Sequence, residues 1–149
     1  MATNTKLKVY DPSEVSITLG TITVEGYADG TFVTVEDDED AYSMQVGSDG
    51  ESTRSKSNNR GATITLTTLQ GSSSNDLLSA LHNLDRNSSG GAGIRPLLIK
   101  DNNGTHLYTA ETAWVQKRPG SEFAREATGR EWTIRTNNLV SLDGSNNAP

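Results

Sequence analysis

Apolar residues alternate with polar ones along several short segments, and this alternation limits the fold more than any other feature of the chain. Residues 62–69 are ATITLTTL, in which Ile64 and Leu66 fall on one side and three threonines on the other. Residues 15–19 and 42–46 show the same two-residue period. Because successive side chains of a β-strand point to opposite faces, this period predicts strands that bury one face. The chain is therefore predicted to be mainly β.

The composition favours the same class and creates a need for partners. Of the 149 residues, 32% are hydrophobic and 5% aromatic, and much of the remainder is Thr, Ser, Asn and Gly. Thr favours strands, whereas Ser, Asn and Gly favour turns. A single domain of this length can bury a core. With so little apolar bulk, the monomer would be short of buried area, so we expect self-association.

One segment departs from the two-residue period and predicts a single α-helix. Residues 72–85 are SSSNDLLSALHNLD, with Ser73 and Asp76 spaced as in a capping box. Leucines at positions i, i+1, i+4 and i+7 predict one apolar stripe that covers a face of the sheet. These leucines are Leu77, Leu78, Leu81 and Leu84.

A long polar segment separates two of the predicted strands. Residues 47–61, GSDGESTRSKSNNRG, contain no hydrophobic residue. A loop of this length within a compact domain is usually functional or disordered. Since residues 42–46 precede it and residues 62–69 follow it, we expect these two strands to pair as an extended hairpin with a mobile tip.

The second half of the chain predicts a further hairpin. Residues 97–100 and 107–117 flank the sequence DNNG, in which Asn-Gly is a hairpin signal. Simple alternation along 107–117 places Ala110 and Ala113 on opposite faces, so that neither face is wholly apolar.

The C-terminal region predicts one last strand and a frayed end. In residues 131–136 the alternation directs Trp132 and Ile134 inward. The following residues are polar, and chain ends without docking contacts are commonly mobile. We therefore expect residues 141–149 to form a flexible tail.

Five consecutive carboxylates, with no Gly or Pro among them, lie between two predicted strands: Glu36, Asp37, Asp38, Glu39 and Asp40. An EF-hand needs Gly at its sixth position and Glu at its twelfth. Counted from Asp37, those positions hold Tyr42 and Ser48. Neighbouring carboxylates about 7 Å apart repel by roughly 0.6 kcal/mol in water, so this acidic corner must face water or a basic partner. An improvised Ca²⁺ site stays open as an alternative.

The sequence contains no recognisable catalytic motif. His82 and His106 lack the spacing of a metal pair, and each is expected to be a surface or boundary residue. The glycines of residues 90–93 lack the strand-to-helix setting of a phosphate cradle. We expect no enzyme activity, no metal and no cofactor.

Charge is unevenly distributed along the chain, whose formal net charge is −6. Residues 25–51 hold nine carboxylates and no Lys or Arg, whereas residues 86–135 hold eight basic residues and five acidic ones. This polarity favours head-to-tail association of identical subunits. Nucleic-acid binding needs clustered cations, and the one local basic cluster follows the acidic segment. It comprises Arg54, Lys56 and Arg60.

Two further absences concern the cellular location. The chain has no cysteine, which excludes disulfides and thiolate metal sites. It has no apolar run near the roughly 20 residues of a membrane span and no segment typical of a signal peptide. We expect a soluble intracellular product that does not enter a membrane.

Several segments in a fixed order resemble the tail tube proteins of contractile-tailed phages, closest to a family first labelled as a phage structural protein of unknown function. They are Tyr10-Asp11-Pro12, the turn Gly26 to Gly30, the run Val46 to Glu51, Ser74 to Leu78, and Glu131-Trp132. The resemblance extends from about Tyr10 to Ile134 and therefore covers most of the chain.

The resemblance implies a β-sandwich or barrel subunit with one flanking helix and a long hairpin loop, forming a single tail tube domain over residues 1–149. In such families hexameric rings stack into a tube that conducts DNA inside a contractile sheath. The implied partners are the subunit itself, the sheath protein, and the tape measure and baseplate proteins. Genomic DNA would pass through without specific binding. The implied location is the virion tail, after synthesis in the host cytoplasm.

The resemblance also assigns roles to segments and residues. Residues 1–9 correspond to an N-terminal arm, and residues 47–61 to an assembly loop that contacts a neighbouring subunit or ring. The ion-pairing residues of that loop would be Asp49, Glu51, Arg54, Lys56 and Arg60. The candidates for lining the lumen are Thr18, Thr34, Glu36 and Thr65. The helix would lie outside the barrel, toward the sheath.

The sequence leaves open which kind of assembly or module the chain forms and what the acidic corner contacts. The tube fold is shared with phage-derived contractile injection systems, and a monomeric β-sandwich binding module that uses Ca²⁺ is an alternative of another class. The acidic corner would either repel DNA or meet basic residues of the next subunit. The basic candidates are Lys117, Arg118 and Arg125.

Overall fold

The computed structural model describes residues 7–148, and the predicted arm lies largely outside them. A short 3₁₀ turn, Pro12–Glu14, precedes the first strand, and Asp11 caps it by accepting a hydrogen bond from the amide of Ser13. The described chain contains ten strands and one helix. They are β1 (Val15–Leu19), β2 (Ile22–Thr23), β3 (Val33–Asp37), β4 (Tyr42–Val46), β5 (Ser52–Lys56), β6 (Ala62–Thr68), α1 (Ser74–Arg86), β7 (Arg95–Asp101), β8 (Leu107–Lys117), β9 (Arg130–Thr136) and β10 (Leu139–Leu142).

Eight of the strands form one antiparallel sheet. Its order is β2-β1-β7-β8-β9-β6-β3, and β10 pairs with β8 beyond the end of β9. Thr136 lies opposite Ala113 and Leu139 lies opposite Ala110, so β9 and β10 follow β8 as one interrupted strand. The remaining strands, β4 and β5, pair only with each other within the described chain. The predicted mainly β fold with one helix is confirmed.

The core lies on one face of the sheet because the apolar positions of neighbouring strands are in register. Ile64 of β6 lies between Val35 of β3 and Ile134 of β9, and the next inward pair joins Leu66 to Trp132. Trp132 and Ile134 are buried, as the alternation predicts. Thr63, Thr65 and Thr67 of β6 fall on the opposite, outward face, which stays partly exposed, whereas Thr68 is buried.

The long strand β8 departs from simple alternation. Ala110, Ala113 and Val115 are all buried, although the first two differ by three positions. The register with β7 shifts between Arg95 and Leu97, which places one extra residue on β8 and reverses the parity of its side chains. The prediction that Ala110 and Ala113 face opposite sides is therefore wrong.

The helix packs with a different face from the one its leucines predicted. Leu78, Leu81 and His82 are buried, whereas Leu77 is 48% and Leu84 49% exposed. Successive helical residues turn by about 100°, so Leu77 and Leu84 lie on the flank of the face formed by the buried residues. The expected stripe of four leucines is half right. His82, expected at the surface or boundary, belongs to the buried face.

The start of the helix is held by serines other than the predicted cap. Ser73 makes no side-chain capping hydrogen bond, so the predicted capping box is absent. The hydroxyl of Ser72 accepts a hydrogen bond from the amide of Ser74 at 3.2 Å. The hydroxyl of Ser74 in turn accepts one from the amide of Glu25 at 2.7 Å, which ties the helix to the chain after β2.

Asn75 connects the helix to the sheet through its side-chain amide. Its Oδ1 accepts hydrogen bonds from Trp132 Nε1 at 3.0 Å and from the hydroxyl of Thr68 at 2.6 Å. Its Nδ2 donates to the carbonyl of Leu69 at 2.9 Å. This one side chain therefore satisfies buried donors from two strands.

The predicted flexible tail is partly ordered. Ser141 belongs to β10, and the carbonyl of Ser145 accepts a hydrogen bond from the amide of Thr105 at 2.9 Å. Asn147 donates to the carbonyl of Asn103 at 2.9 Å and accepts from the amide of Val9 at 3.1 Å. The structure therefore departs from the prediction for residues 141–147 because backbone pairing docks them on the β7–β8 turn.

We predict that Asn75→Ala lowers the free energy of unfolding by about 2 kcal/mol, because the buried indole N–H of Trp132 loses its acceptor and Thr68 keeps only a long hydrogen bond to the carbonyl of Arg130 at 3.5 Å. Urea denaturation measures the change. Asn83→Ala, an exposed position on the same helix, is the matched control and should change stability by less than about 0.5 kcal/mol. Equal effects of the two substitutions would contradict the role of Asn75.

We also predict a loss of stability at high pH that depends on Tyr108. Its hydroxyl donates to Asp143, and this hydrogen bond raises the pKa of Tyr108 from 10.0 to about 12. A raised folded-state pKa stabilises the fold below pH 10 and loses that contribution as the pH rises through about 12. Tyr108→Phe should remove this component from stability–pH profiles measured by thermal unfolding. The exposed control Tyr10→Phe should retain it.

Candidate functional site

The polar segment 47–61 forms part of a second hairpin. Tyr42 pairs with Lys56 and Val46 pairs with Ser52, and residues 47–51 form the tip between β4 and β5. The expected pairing of residues 42–46 with residues 62–69 is wrong, because β3 pairs with β6 instead. β5 has no apolar residue since both of its faces meet solvent.

One face of this β4–β5 hairpin carries an exposed apolar row that the loop prediction did not include. Tyr42, Met44 and Val46 alternate along β4 and are 50%, 69% and 56% exposed. The guanidinium carbon of Arg54 lies 4.3 Å from the centre of the Tyr42 ring, a cation–π contact. Arg54 and Lys56 lie directly opposite Met44 and Tyr42, and therefore share their face.

The five predicted ion-pairing residues do not form one group. Asp49 accepts a hydrogen bond from the amide of Glu51 at 3.1 Å and so shapes the tip. Arg54 and Lys56 belong to the apolar face of the hairpin. Arg60 lies outside the hairpin, where its carbonyl accepts from the amide of Leu139 at 2.9 Å.

The predicted lumen residues all lie on the outward face of the sheet. Thr34 pairs directly with Thr65, and Glu36 lies one outward position further along β3. Thr18 occupies the same outward face on β1, several strands away, where it pairs with Leu98. Three of the four candidates are therefore neighbours, and Thr18 is distant. Whether this face lines a lumen stays a prediction.

The acidic corner divides into engaged and exposed carboxylates. Asp38 forms an ion pair with Arg135 and accepts a hydrogen bond from the hydroxyl of Thr63 at 3.0 Å. Glu39 accepts one from the hydroxyl of Ser57. Glu36 and Asp37 end β3, and together with Asp40 they are exposed. Two carboxylates thus hold the corner in place, and three face solvent.

Between residues 7 and 148, no three or more His, Asp or Glu side chains are grouped so as to hold a metal ion. No helix in that range is long and apolar enough to cross a membrane. A cleft of about 650 Å³ lies between α1 and the end of β8 and is lined by His82, Arg86, Trp114 and Lys117 among others.

The fold occurs in two solved structures of contractile injection particles. The structure is similar to the tube-terminating cap of the anti-feeding prophage, with a TM-score of 0.57 and 12% identity over 95% of this chain and 99% of that one. It is equally similar to the sheath/tube terminator of an extracellular contractile injection system, PVC, with a TM-score of 0.57 and 10% identity over 91% of this chain and 97% of that one.

The sequence places the chain in a particular family. It belongs to the bacteriophage PhiTE tail tube protein family, whose model matches residues 13–143. It is 32% identical to the structural protein ORF10 of Pseudomonas phage KPP10, over 95% of this chain and 85% of that protein. The resemblance to phage tail tube proteins is thereby confirmed, and the protein is a phage structural protein of the virion tail.

We predict that the engaged and exposed carboxylates differ in their effect on folding. Asp38→Ala removes the partner of Arg135 and should lower the free energy of unfolding by about 0.5–1 kcal/mol. Asp40→Ala, the matched control at the same corner, should leave it unchanged or slightly raised, because one repulsive charge is lost. Chemical denaturation of both variants checks this. A larger loss of unfolding free energy for Asp40→Ala than for Asp38→Ala would contradict the distinction between engaged and exposed carboxylates.

Proposed function

We propose that the chain is the repeating subunit of a tail tube. It assembles into rings, hexameric by resemblance to related tubes, and the rings stack into the channel for DNA ejection within a contractile sheath. The family supports the tube role, and the observation that carries self-assembly is the exposed apolar face of the β4–β5 hairpin.

The β4–β5 hairpin supports assembly because an isolated chain leaves its apolar side chains exposed to water, which is unfavourable. Tyr42, Met44 and Val46 form one apolar row without contact to the core of their own subunit. Burying a side chain of this size yields about 1.5–3 kcal/mol. A neighbouring subunit that covers the row would therefore stabilise the assembly through the burial of several apolar side chains. Arg54 and Lys56 flank it and supply the polar rim.

The channel is proposed to lie along the outward face of β3, β6 and β9. Thr34, Thr65 and Thr133 form a polar row there, and Glu36 adds a carboxylate. Arg135 lies on the same face but is ion-paired with Asp38, so the surface offers DNA phosphates mainly hydroxyl and acid groups. Together with the net charge of −6, this chemistry suits the passage of DNA without binding.

The other tail components are assigned by position. The exposed Leu77 and Leu84 flank of α1 would face the sheath protein, while the ends of the stacked tube would meet the baseplate and enclose the tape measure protein. In this proposal the subunit is made in the host cytoplasm and carries no catalytic activity.

A second candidate is the tube of a phage-derived contractile injection system. It is favoured by the two solved structures of the same fold, both of which come from such particles. Purification of the native particle separates the two candidates. A DNA-filled capsid attached to the tube supports the phage tail, whereas a capsid-free particle supports the injection system.

We predict that Met44→Ser combined with Val46→Ser abolishes tubes, because it removes two apolar anchors from the hairpin. Negative-stain electron microscopy and sedimentation velocity would show subunits instead of rings or tubes, while circular dichroism of the subunit stays that of the wild type. The matched control is Gln45→Ser with Thr53→Ser on the opposite face, which should assemble normally. Normal tubes from the Met44/Val46 variant would contradict the role of this face.

A further inference from the structure

The cleft between α1 and β8 is strongly cationic. It is lined by Arg86 near the end of the helix and by Lys117 and Arg118 at the end of β8. All three basic residues are exposed. Asp85, the acidic residue of this lining, is partly engaged because it accepts a hydrogen bond from the amide of Gly93 at 3.3 Å. The cleft therefore has an excess of positive charge.

The floor of the cleft contains an unsatisfied polar group. His82 is 92% buried, and its Nδ1 finds no hydrogen-bond partner within residues 7–148. Buried polar atoms are nearly always paired, so this nitrogen marks a place where a contact is missing from the isolated chain. Trp114 and Val115 add an apolar wall. The cleft thus combines hydrogen-bonding capacity, cations and apolar surface at about 650 Å³.

The same chain carries a surface of the opposite charge. Glu36, Asp37 and Asp40 of the acidic corner are exposed, and no Lys or Arg occurs in residues 25–51. Asp37 and Glu39 border a different cavity from the cationic cleft, and Lys56 and Arg60 border that same cavity. The corner therefore owes its excess of negative charge to the full set of five carboxylates. The corner and the cleft are therefore separate surfaces of one subunit.

We propose that the cationic cleft binds the acidic corner of a second copy of this chain. This inference rests on the proposed self-assembly and names two of the surfaces that meet. The contact joins two different surfaces. When two subunits bind, one cleft and one corner stay unoccupied, so further subunits can add to form a ring or a stack. Opposite charges also fix the orientation of the neighbours, since two clefts or two corners repel each other.

Charge reversal tests the pairing in the full-length chain. A cleft variant carries Lys117→Glu with Arg118→Glu, and a corner variant carries Asp37→Lys with Asp40→Lys. Each should raise the concentration needed for assembly by about tenfold or more, measured by sedimentation velocity and electron microscopy. Assembly should return towards the wild-type concentration when all four changes are combined in one chain, or when the two variants are mixed in equal amounts.

A matched control separates a local contact from general charge. Lys8→Glu with Lys100→Glu changes the net charge as much as the cleft variant does, at exposed positions outside the cleft. This control should assemble like the wild type. Thermal unfolding of each variant checks that the subunits are folded.

The outcomes distinguish this inference from the proposed function. If the wild-type chain forms tubes and both reversed variants do so at the same concentration, the pairing is overturned and self-assembly stands. Loss of assembly without rescue by the combination or the mixture also overturns it. A wild-type chain that stays monomeric at high concentration overturns both proposals.

Discussion

The in-register burial of one sheet face is the interaction on which the rest of the structure depends. Ile64 lies between Val35 and Ile134, and the neighbouring position pairs Leu66 with Trp132. Because the period of a strand is two residues, every inward apolar side chain requires an outward neighbour, and here that neighbour is mostly Thr. The same pairing therefore fixes the core and the polar outer face together.

A subunit built this way leaves apolar surface uncovered. One helix closes part of the inner face, and its Leu77 and Leu84 flank stays exposed. The β4–β5 hairpin projects an apolar row, and Val140 and Leu142 are exposed on β10. Exposure of these apolar surfaces to water is unfavourable in a monomer, whereas a repeating subunit can bury them against its neighbours. The proposed assembly of the subunit into a tube would bury them.

Strand positions and the single helix follow closely from the sequence, because periodicity is a local property. Trp132 and Ile134 are buried as predicted, and the acidic corner is exposed as electrostatic repulsion requires. The extra residue in β8 escaped prediction, since Ala110 and Ala113 share a face only through the register with β7. Likewise, the burial of His82 depends on which flank of α1 meets the sheet.

The candidate assembly surfaces follow less directly from the sequence than the fold does. The polar residues of 47–61 suggested ion pairs, whereas the exposed row belongs to the preceding strand, β4. Its alternation was visible in the sequence, but alternation does not distinguish a face buried in the core from one offered to a neighbour. The cationic cleft brings Arg86 together with Lys117 and Arg118, more than 30 positions away.

The sequence by itself determined the mainly β class, the helix, the exposed acidic corner and the resemblance to tail tube proteins. These depend on periodicity, composition and local charge, which are local properties of the sequence. The tertiary structure alone decided that β4 pairs with β5, that β10 docks on β8, and that the helix and β8 enclose a cleft. Those features arise from hydrogen bonds and packing between distant segments. A local sequence pattern does not identify the distant segment with which it will pair.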